Sequence, residues 1–307
     1  MIITFGSINL DITFPLDHMP KPGETVLGKT FLMNPGGKGA NQALAAACAG
    51  ADTAMVGMVG DDGFAEEALC LLKEYEVDLS QLGKSDLPTG CASIWVDQGA
   101  ENSIAVASGA NLSAKSTQVP DSWLTPDNRL LIQMETPIEE NWKLIRRAHE
   151  KGCPVTLNVA PARYVPLDIL KMIDLLIVNE GEARTIADGL DIDSEKVTRL
   201  PRYLAEKFGM KSVLTMGGAG SIFFSPDGGI STPALPIAPI DTTAAGDTFV
   251  GYLGAMLVAG KDMEEALRYA SVGAGLCCMK AGSQSSVPII EDVEAKLSSL
   301  PASKVIK

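Results

Sequence analysis

The chain has 307 residues, 46% of them hydrophobic and 21% charged, which is ample material for a large buried core. Thirty-eight acidic residues against 25 basic ones leave a formal net charge of −13. That balance disfavours long contact with DNA, RNA or anionic lipid, and leaves a small phosphorylated ligand in a local pocket open.

The first predicted element is a short apolar strand over residues 2–5, ending in Gly6-Ser7. Residues 11–14 alternate polar and apolar, a turn-rich stretch follows, and 26–33 reads as extended. The Ala-rich run GANQALAAACA predicts a closely packed helix over 38–49. Residues 53–59 then read as a strand and 64–75 as a helix. This alternation points to an α/β fold. Residues 89–106 interrupt it with two strands around the turn 97–100, and with the pieces near 12 and 26 they predict a small sheet outside the main layer.

The main pattern resumes with a strand over 129–134, a helix over 138–150, and strands over 155–158 and 175–178. Helices are predicted over 180–187 and 195–208, and strands over 212–216, 221–224 and 229–232. Helices over 245–259, 263–278 and 290–297 complete the chain. No repeat or low-complexity linker appears, so one α/β domain with a β lid, inserted from about 12–33 and 89–107, fits better than two domains in series.

Cys48, Cys70, Cys91, Cys153, Cys277 and Cys278 contain no CxxC pair and predict no disulfide framework. The two histidines, His18 and His149, are far apart, which disfavours a zinc site or a His-based triad. The N-terminus reads as a strand rather than a targeting segment, and no run of 18 apolar residues occurs. A reduced, cytoplasmic, soluble protein is the expectation.

The strongest chemical signal is PIDTTAAGDTF, residues 239–249, followed by a small-residue helix. Ala244, Ala245 and Gly246 have almost no side chain, so their amides can form an anion hole at a helix N-terminus. Asp247 would repel a phosphate if binding were its only task; it makes sense as the acceptor of a proton from an attacking hydroxyl. The plainer alternative is that Asp247 caps the first helical turn. The second signal is NPGGKGANQ, residues 34–42, where Lys38 and Asn41 share one helical face. A tight turn with a solvated lysine is its alternative, and no Walker A motif is present. Asn9, Asp11, Glu135, Asn158, Asn179 and Glu182 sit at expected strand ends, where α/β sheets bind ligands. Singly, each could cap a helix or close a turn.

GSINLD, PKPGET, NPGGKGANQA, VGDDGFAE, TGCASIWV, ASGAN, NVAPAR, NEGEA and PIDTTAAGDTFVG occur in this order along the chain. On these motifs the chain resembles the ribokinase-like (PfkB) carbohydrate kinase family over essentially its full length. The resemblance implies a three-layer α/β/α domain with a small β-sheet lid. It implies ATP-dependent phosphorylation of D-ribose at O5, with another sugar or nucleoside, or a silent sugar-binding or regulatory protein, as alternatives. Asp247 would be the base and Ala244, Ala245 and Gly246 the anion hole. Asn9, Asp11, Gly37, Lys38, Asn41 and Glu135 would hold the sugar. Asn179, Thr215, Gly217 and Gly220, with Ala245 and Gly246, would face the nucleotide. Glu182 would organise Mg2+. Asp241 and Thr243, with the loop carrying Lys280, Gly282 and Ser285, would hold K+. The lid would also form a homodimer contact. The acidic pair Asp11 and Glu135 suits a free sugar, whose hydroxyls donate, better than one already phosphorylated. Ser271 stands where the family often has a histidine near adenine. Cys91 and the Cys277–Cys278 pair read as small buried packing residues.

Overall fold

The computed structural model describes all residues except 100, 191, 193 and 307. In chain order the first half comprises β1 (Ile2–Phe5), β2 (Asn9–Pro15), β3 (Leu32–Gly36), α1 (Lys38–Cys48), β4 (Thr53–Val56), β5 (Met58–Gly60), α2 (Gly63–Ala68) and α3 (Cys70–Glu74). Then come β6 (Gly83–Ser85), β7 (Gly90–Val96), β8 (Asn102–Ala107), β9 (Arg129–Ile132), α4 (Ile138–Glu150) and β10 (Val155–Asn158). The second half carries α5 (Leu167–Leu170), β11 (Leu175–Asn179), α6 (Glu180–Gly189), α7 (Leu200–Phe208), β12 (Ser212–Thr215), β13 (Ser221–Ser225) and β14 (Gly228–Thr232). The chain closes with α8 (Ala245–Val258), α9 (Met263–Cys277), α10 (Ile290–Lys296) and β15 (Lys304–Ile306).

Nine strands form the main sheet in the order β15-β14-β13-β12-β11-β10-β9-β1-β4, parallel from β12 to β4 and antiparallel beyond β12. Because helices cover both faces, its parallel strands are apolar on both sides. Ile2, Leu131, Ile177 and Val213 pack into one core with α1, α8 and α9. Ile3, Leu130, Leu176 and Leu214 pack into the other with α4, α6 and α7. This alternation is the three-layer α/β/α arrangement. After β1 the chain adds β4 on one side and then β9 on the other. The carboxyl ends of β1 and β9 therefore flank a crevice at a switch of strand order, the place where such sheets bind ligands.

The second sheet has the order β3-β2-β7-β8, and every residue of β8 is exposed. It is the expected small sheet outside the main layer, with shifted limits. Residues 26–31 lie outside the strand, which starts at Leu32 and runs to Gly36, because pairing with β2 matches Thr13 to Leu32 and Asn9 to Gly36. Asn9 and Asp11 consequently belong to the lid's own β2 rather than to the end of β1. The turn expected at 97–100 ends on a residue outside those described.

Other expectations need correction. The strand over 53–59 divides at Gly57, after which β5 leaves the main sheet to pair with β6. The helix over 64–75 is two short helices meeting at Leu69. The helix over 195–208 begins as a 3-10 turn, Ser194–Arg199, and becomes α-helical at Leu200, with Pro201 in its first turn. Strand β15, at the antiparallel edge, was not anticipated. No helix among the described residues is long and apolar enough to cross a membrane.

Candidate active site

Two helices build the centre of the site. Helix α1 is buried almost throughout, and α8 is buried from Asp247 to Met256. They approach at Gly251, where a Cβ would fall 2.5 Å from the Ala45 Cβ and 2.6 Å from the Gln42 carbonyl oxygen. Only glycine permits that spacing one turn after Asp247. The approach lets Asn41 Nδ2 donate to Asp247 Oδ2 (3.0 Å) and Gln42 Nε2 donate to Asp247 Oδ1 (2.9 Å). The Asp247 carboxylate is 8% exposed, held on both oxygens by side chains of another helix. The capping alternative is therefore wrong: no side chain caps α8.

Ala244 precedes that helix with φ 59° and ψ 3°, a left-handed conformation uncommon for a residue with a Cβ. The Thr248 amide makes the first helical bond, to the Ala244 carbonyl (2.8 Å), and the Ala245 amide turns back to the Thr242 carbonyl (3.3 Å). Gly246 is exposed, with no atom within 4 Å of where its Cβ would stand. A first turn without a side-chain cap, beside open space, is suited to an anion.

A cluster of carboxylates faces this turn from the lid side. Glu135, just past β9, accepts from Ser7 Oγ (2.5 Å) and the Lys38 amide (3.2 Å). Asp11 lies opposite Asn34 on β3, and its carboxylate crowds the position a Cβ on Gly36 would take. Burial first, then Glu135 and Asp247, push the Asp11 carboxyl up to about 7, against the opposing pull of Lys38. Lys38 is held firmly protonated, chiefly by Asp247 and against the effect of burial, with Glu135, Glu182 and Asp11 adding to the attraction. Gly37, at φ 88°, starts α1 and turns the chain into the cluster. Asn9 accepts from Asn111 Nδ2 (2.8 Å), and Asn111 is itself clamped on both polar atoms of the Ile8 backbone. Asn41 Oδ1 is buried with no partner.

On the other side of Asp247, Asn179 ends β11 and caps α6. Its Oδ1 accepts from the Glu182 amide (2.9 Å), while Glu182 accepts from the Asn179 amide (2.8 Å) and from Nδ2 (2.9 Å). This reciprocal capping box holds the Glu182 carboxylate at 7% exposure. Burial raises it to about 6, with the Asn179 amide and Lys38 pulling down and Asp247 pushing up. Thr215 ends β12 with its hydroxyl on the Val178 carbonyl (3.4 Å), and the exposed turn Gly217–Ala219 follows, closed by the buried Gly220, with Gly217 and Gly220 both at positive φ.

Asp241 is the hinge of a separate loop pair. Its Oδ1 accepts from the Thr243 amide (2.9 Å) and hydroxyl (2.7 Å), and its Oδ2 accepts from the Gly282 amide (3.0 Å). Burial pushes this carboxyl up, but those donors win and hold it below the usual range. Lys280 and Ser285 lie exposed in the same loop. Cys277 is buried beneath it, against Ser286 Oγ (3.0 Å) and the Thr243 carbonyl (3.5 Å). That is packing, as the sequence suggests.

The structure thus sets Asp11, Glu135, Glu182 and Asp247 around Lys38, with Asn41 on Asp247, and ties Asp241, Thr243 and Gly282 together in the loop that leads to Ala244. Ser7, Asn111 and Gln133 were missed by sequence reasoning. Gln42 stands in the quoted NPGGKGANQ motif and Asn158 at a strand end, but neither had a role. The only signal was position: Ser7 follows β1, Gln133 follows β9, and Asn111 closes the ASGAN motif.

Residues 1–290 match the family described as pfkB family carbohydrate kinase. The chain is 35% identical over 301 residues to the bifunctional ribokinase/ribose-5-phosphate isomerase A of Fructilactobacillus sanfranciscensis, with 95% of this chain matched but only 55% of that longer protein. It is 36% identical over 300 residues to the ribokinase of Bacillus subtilis, covering 97% of this chain and 99% of the relative. Its structure is similar to that of Arabidopsis thaliana ribokinase complexed with ribose and ATP, with a TM-score of 0.87, 31% identity, and 96% and 98% of the two chains covered. The chain belongs to the pfkB family of carbohydrate kinases.

Proposed function

We propose that this chain transfers the terminal phosphoryl group of ATP to the 5-hydroxyl of D-ribose, giving ribose 5-phosphate and ADP. The observation that carries the reading is Asp247: a buried carboxylate, immobilised on both oxygens, in the first turn of a helix whose N-terminus is free to receive an anion. A base and an anion site three residues apart are what attack of an alcohol on a phosphoryl group requires.

In this reading Asp247 takes the proton of the 5-hydroxyl as that oxygen attacks phosphorus. The amides of Ala244 and Gly246 face the equatorial oxygens of the transferring group, where charge accumulates, and the Ala245 amide joins them on releasing the Thr242 carbonyl. Asn9, Asp11, Gly37, Lys38, Asn41 and Glu135 orient the sugar. Asp11 and Glu135 accept hydrogen bonds from hydroxyls, Lys38 donates, and the unpartnered Asn41 Oδ1 takes one more hydroxyl donor. Asn179, Thr215, Gly217 and Gly220 line the nucleotide side.

Among the described residues no three His, Cys, Asp or Glu side chains group to hold a metal. Mg2+ keeps its waters and binds through substrate phosphates and one or two carboxylates, and here the half-committed carboxylate of the Asn179–Glu182 capping box, Glu182, would serve. When bound, the ion neutralises phosphate charge. Asp241, on a loop leading directly into the anion site, with Thr243 and the loop of Lys280, Gly282 and Ser285, offers one carboxylate and backbone carbonyls to a monovalent cation such as K+. The exposed apolar side chains of the lid, Leu32, Met33, Ile104 and Val106, support a homodimer through that sheet.

The test is ADP release with ATP, magnesium and potassium across free sugars, including 2-deoxyribose, and nucleosides, followed by product identification. Ribose as the best substrate by kcat/KM, phosphorylated at O5, is expected. A different best substrate would move the reading to another member of the class. A folded protein inactive on every compound would favour a binding or regulatory role.

A further inference from the structure

Gln42 is a fully buried amide that the reaction as described does not use. Its surroundings fix which way it points. Asn158, the last residue of β10, donates Nδ2 to the Ile177 carbonyl of β11 (3.2 Å), so its Oδ1 must face Gln42. Gln42 therefore presents Nε2, which donates to Asn158 Oδ1 (3.0 Å) and to Asp247 Oδ1 (2.9 Å), using both hydrogens. Its own Oε1 then accepts from Nε2 of Gln133 (2.6 Å), a residue with no exposed surface that directly follows β9. Every polar atom of Gln42 is committed, and no rotation of the amide preserves the set.

We propose that Gln42 is a positioning residue for the reaction, locking the Asp247 carboxylate in one orientation relative to the central sheet. The inference rests on the reading of Asp247 as the base. Gln133, Asn158 and Ile177 tie Gln42 to three adjacent strands, β9, β10 and β11. Asn9 and Asp11, by contrast, sit on the lid. The amide chain therefore refers the base to the central sheet and not to the small one. Asn41 supplies the second restraint, on Oδ2, from the same helix. An aspartate with only one restraint could rotate about χ2 and move its proton-accepting oxygen away from the line of attack, and small displacements of this kind cost rate far more than binding.

The experiment compares Gln42→Leu, which keeps size and removes the amide, with Gln133→Leu, which removes only the support behind it. Gln42→Leu is expected to lower kcat about 10- to 100-fold while ribose KM stays within about threefold, and Gln133→Leu to lower kcat by a smaller factor. In an Asp247→Asn background, followed by single-turnover measurement, Gln42→Leu should cause almost no further loss, because its target carboxylate is gone. A kcat within twofold of wild type in the Gln42→Leu variant overturns the proposal. So does an equal loss in both backgrounds, the result expected of a general structural defect. If Gln42→Leu does not fold, Gln133→Leu carries the same background comparison, and an equal loss in both backgrounds again overturns the proposal. A crystal structure of either variant adds a readout independent of turnover: the Asp247 carboxylate should leave its wild-type orientation, and an unmoved carboxylate overturns the proposal. Failure of the wild type itself to phosphorylate any sugar would overturn the reading of the reaction, and the Asp247 orientation would then decide the positioning inference separately.

Discussion

Asp11 and Asp241 are both half-buried carboxylates beside the same anion site, yet their proton affinities move in opposite directions. Asp241 accepts three hydrogen bonds, from Thr243 twice and from Gly282, and is held ionised. Asp11 is buried close to Glu135 and Asp247, and its carboxyl rises to about 7. The difference lies in who supplies the donors. The Asp241 loop is satisfied by its own chain, whereas the Asp11 pocket is a set of acceptors suited to donors from a ligand. In the proposed reading a polyhydroxyl sugar would supply those donors.

The largest expected effect lies between the two carboxylates. Asp247→Ala should reduce kcat by roughly 10²- to 10⁴-fold while ribose binding, followed by calorimetry, survives. Near-wild-type turnover would remove the base from the scheme. Asp11→Asn should come next, raising ribose KM about 10- to 100-fold with a smaller change in kcat, because it replaces a charged acceptor by a neutral amide.

The pH dependence follows from the same pocket. If the ionised Asp11 binds ribose, KM should rise about tenfold as pH falls from 8 to 6 across a pKa near 7, and the Asp11→Asn variant should lose that dependence. Stability carries the opposite sign. A carboxyl whose folded pKa is raised to about 7 contributes stability that is complete below its unfolded value and lost as pH rises through 7. The ligand-free Asp11→Asn protein should therefore melt above wild type at pH 8, and the gap should narrow as pH falls and close only below about pH 4. A melting difference independent of pH would show that the Asp11 charge is not strained.

Asp241 should give the smallest effect and the reverse pattern. Its folded pKa is lowered, so its contribution is present above the unfolded value and lost as pH falls below it. Asp241→Asn should cost about 1–3 kcal/mol near neutral pH, measured by denaturant unfolding. It should also abolish the rate difference between potassium and a large organic cation. Equal wild-type rates in the two cations, with contaminating alkali ions excluded, would remove the cation from that loop.

Much of this was legible in the amino-acid order because the chemistry is concentrated in two short motifs. NPGGKGANQ and DTTAAGDTF announce helix starts with small residues, and each places its polar groups in the first turn of a helix, where spacing alone fixes the face. The small sheet was visible as strand patterns interrupting the α/β rhythm, but its second strand, β3, was set too early. Pairing between Asn9 and Gly36 decides that register, and nothing local to residues 26–36 reports it. The break at Gly57 was similarly hidden, since 53–59 is one continuous apolar run that two sheets share.

Local order by itself determined the α/β class, the two helix N-termini and Asp247 as the candidate base, while the assignment of Asp11 and Glu135 to a sugar came from the resemblance to the family. These depend on periodicity, turn chemistry and charge, which act within a few residues. Only the tertiary structure decided that Asp247 is not a cap, that Gln42 and Asn41 hold its two oxygens, and that Asp11 sits on the lid with its proton retained near neutrality. Each of those depends on contacts between segments far apart in the chain. The Asn41–Asp247 bond, for example, exists because α1 and α8 meet where Gly251 has no side chain. Burial and close approach of this kind are properties of packing, and packing is where a carboxylate acquires its partners and its charge.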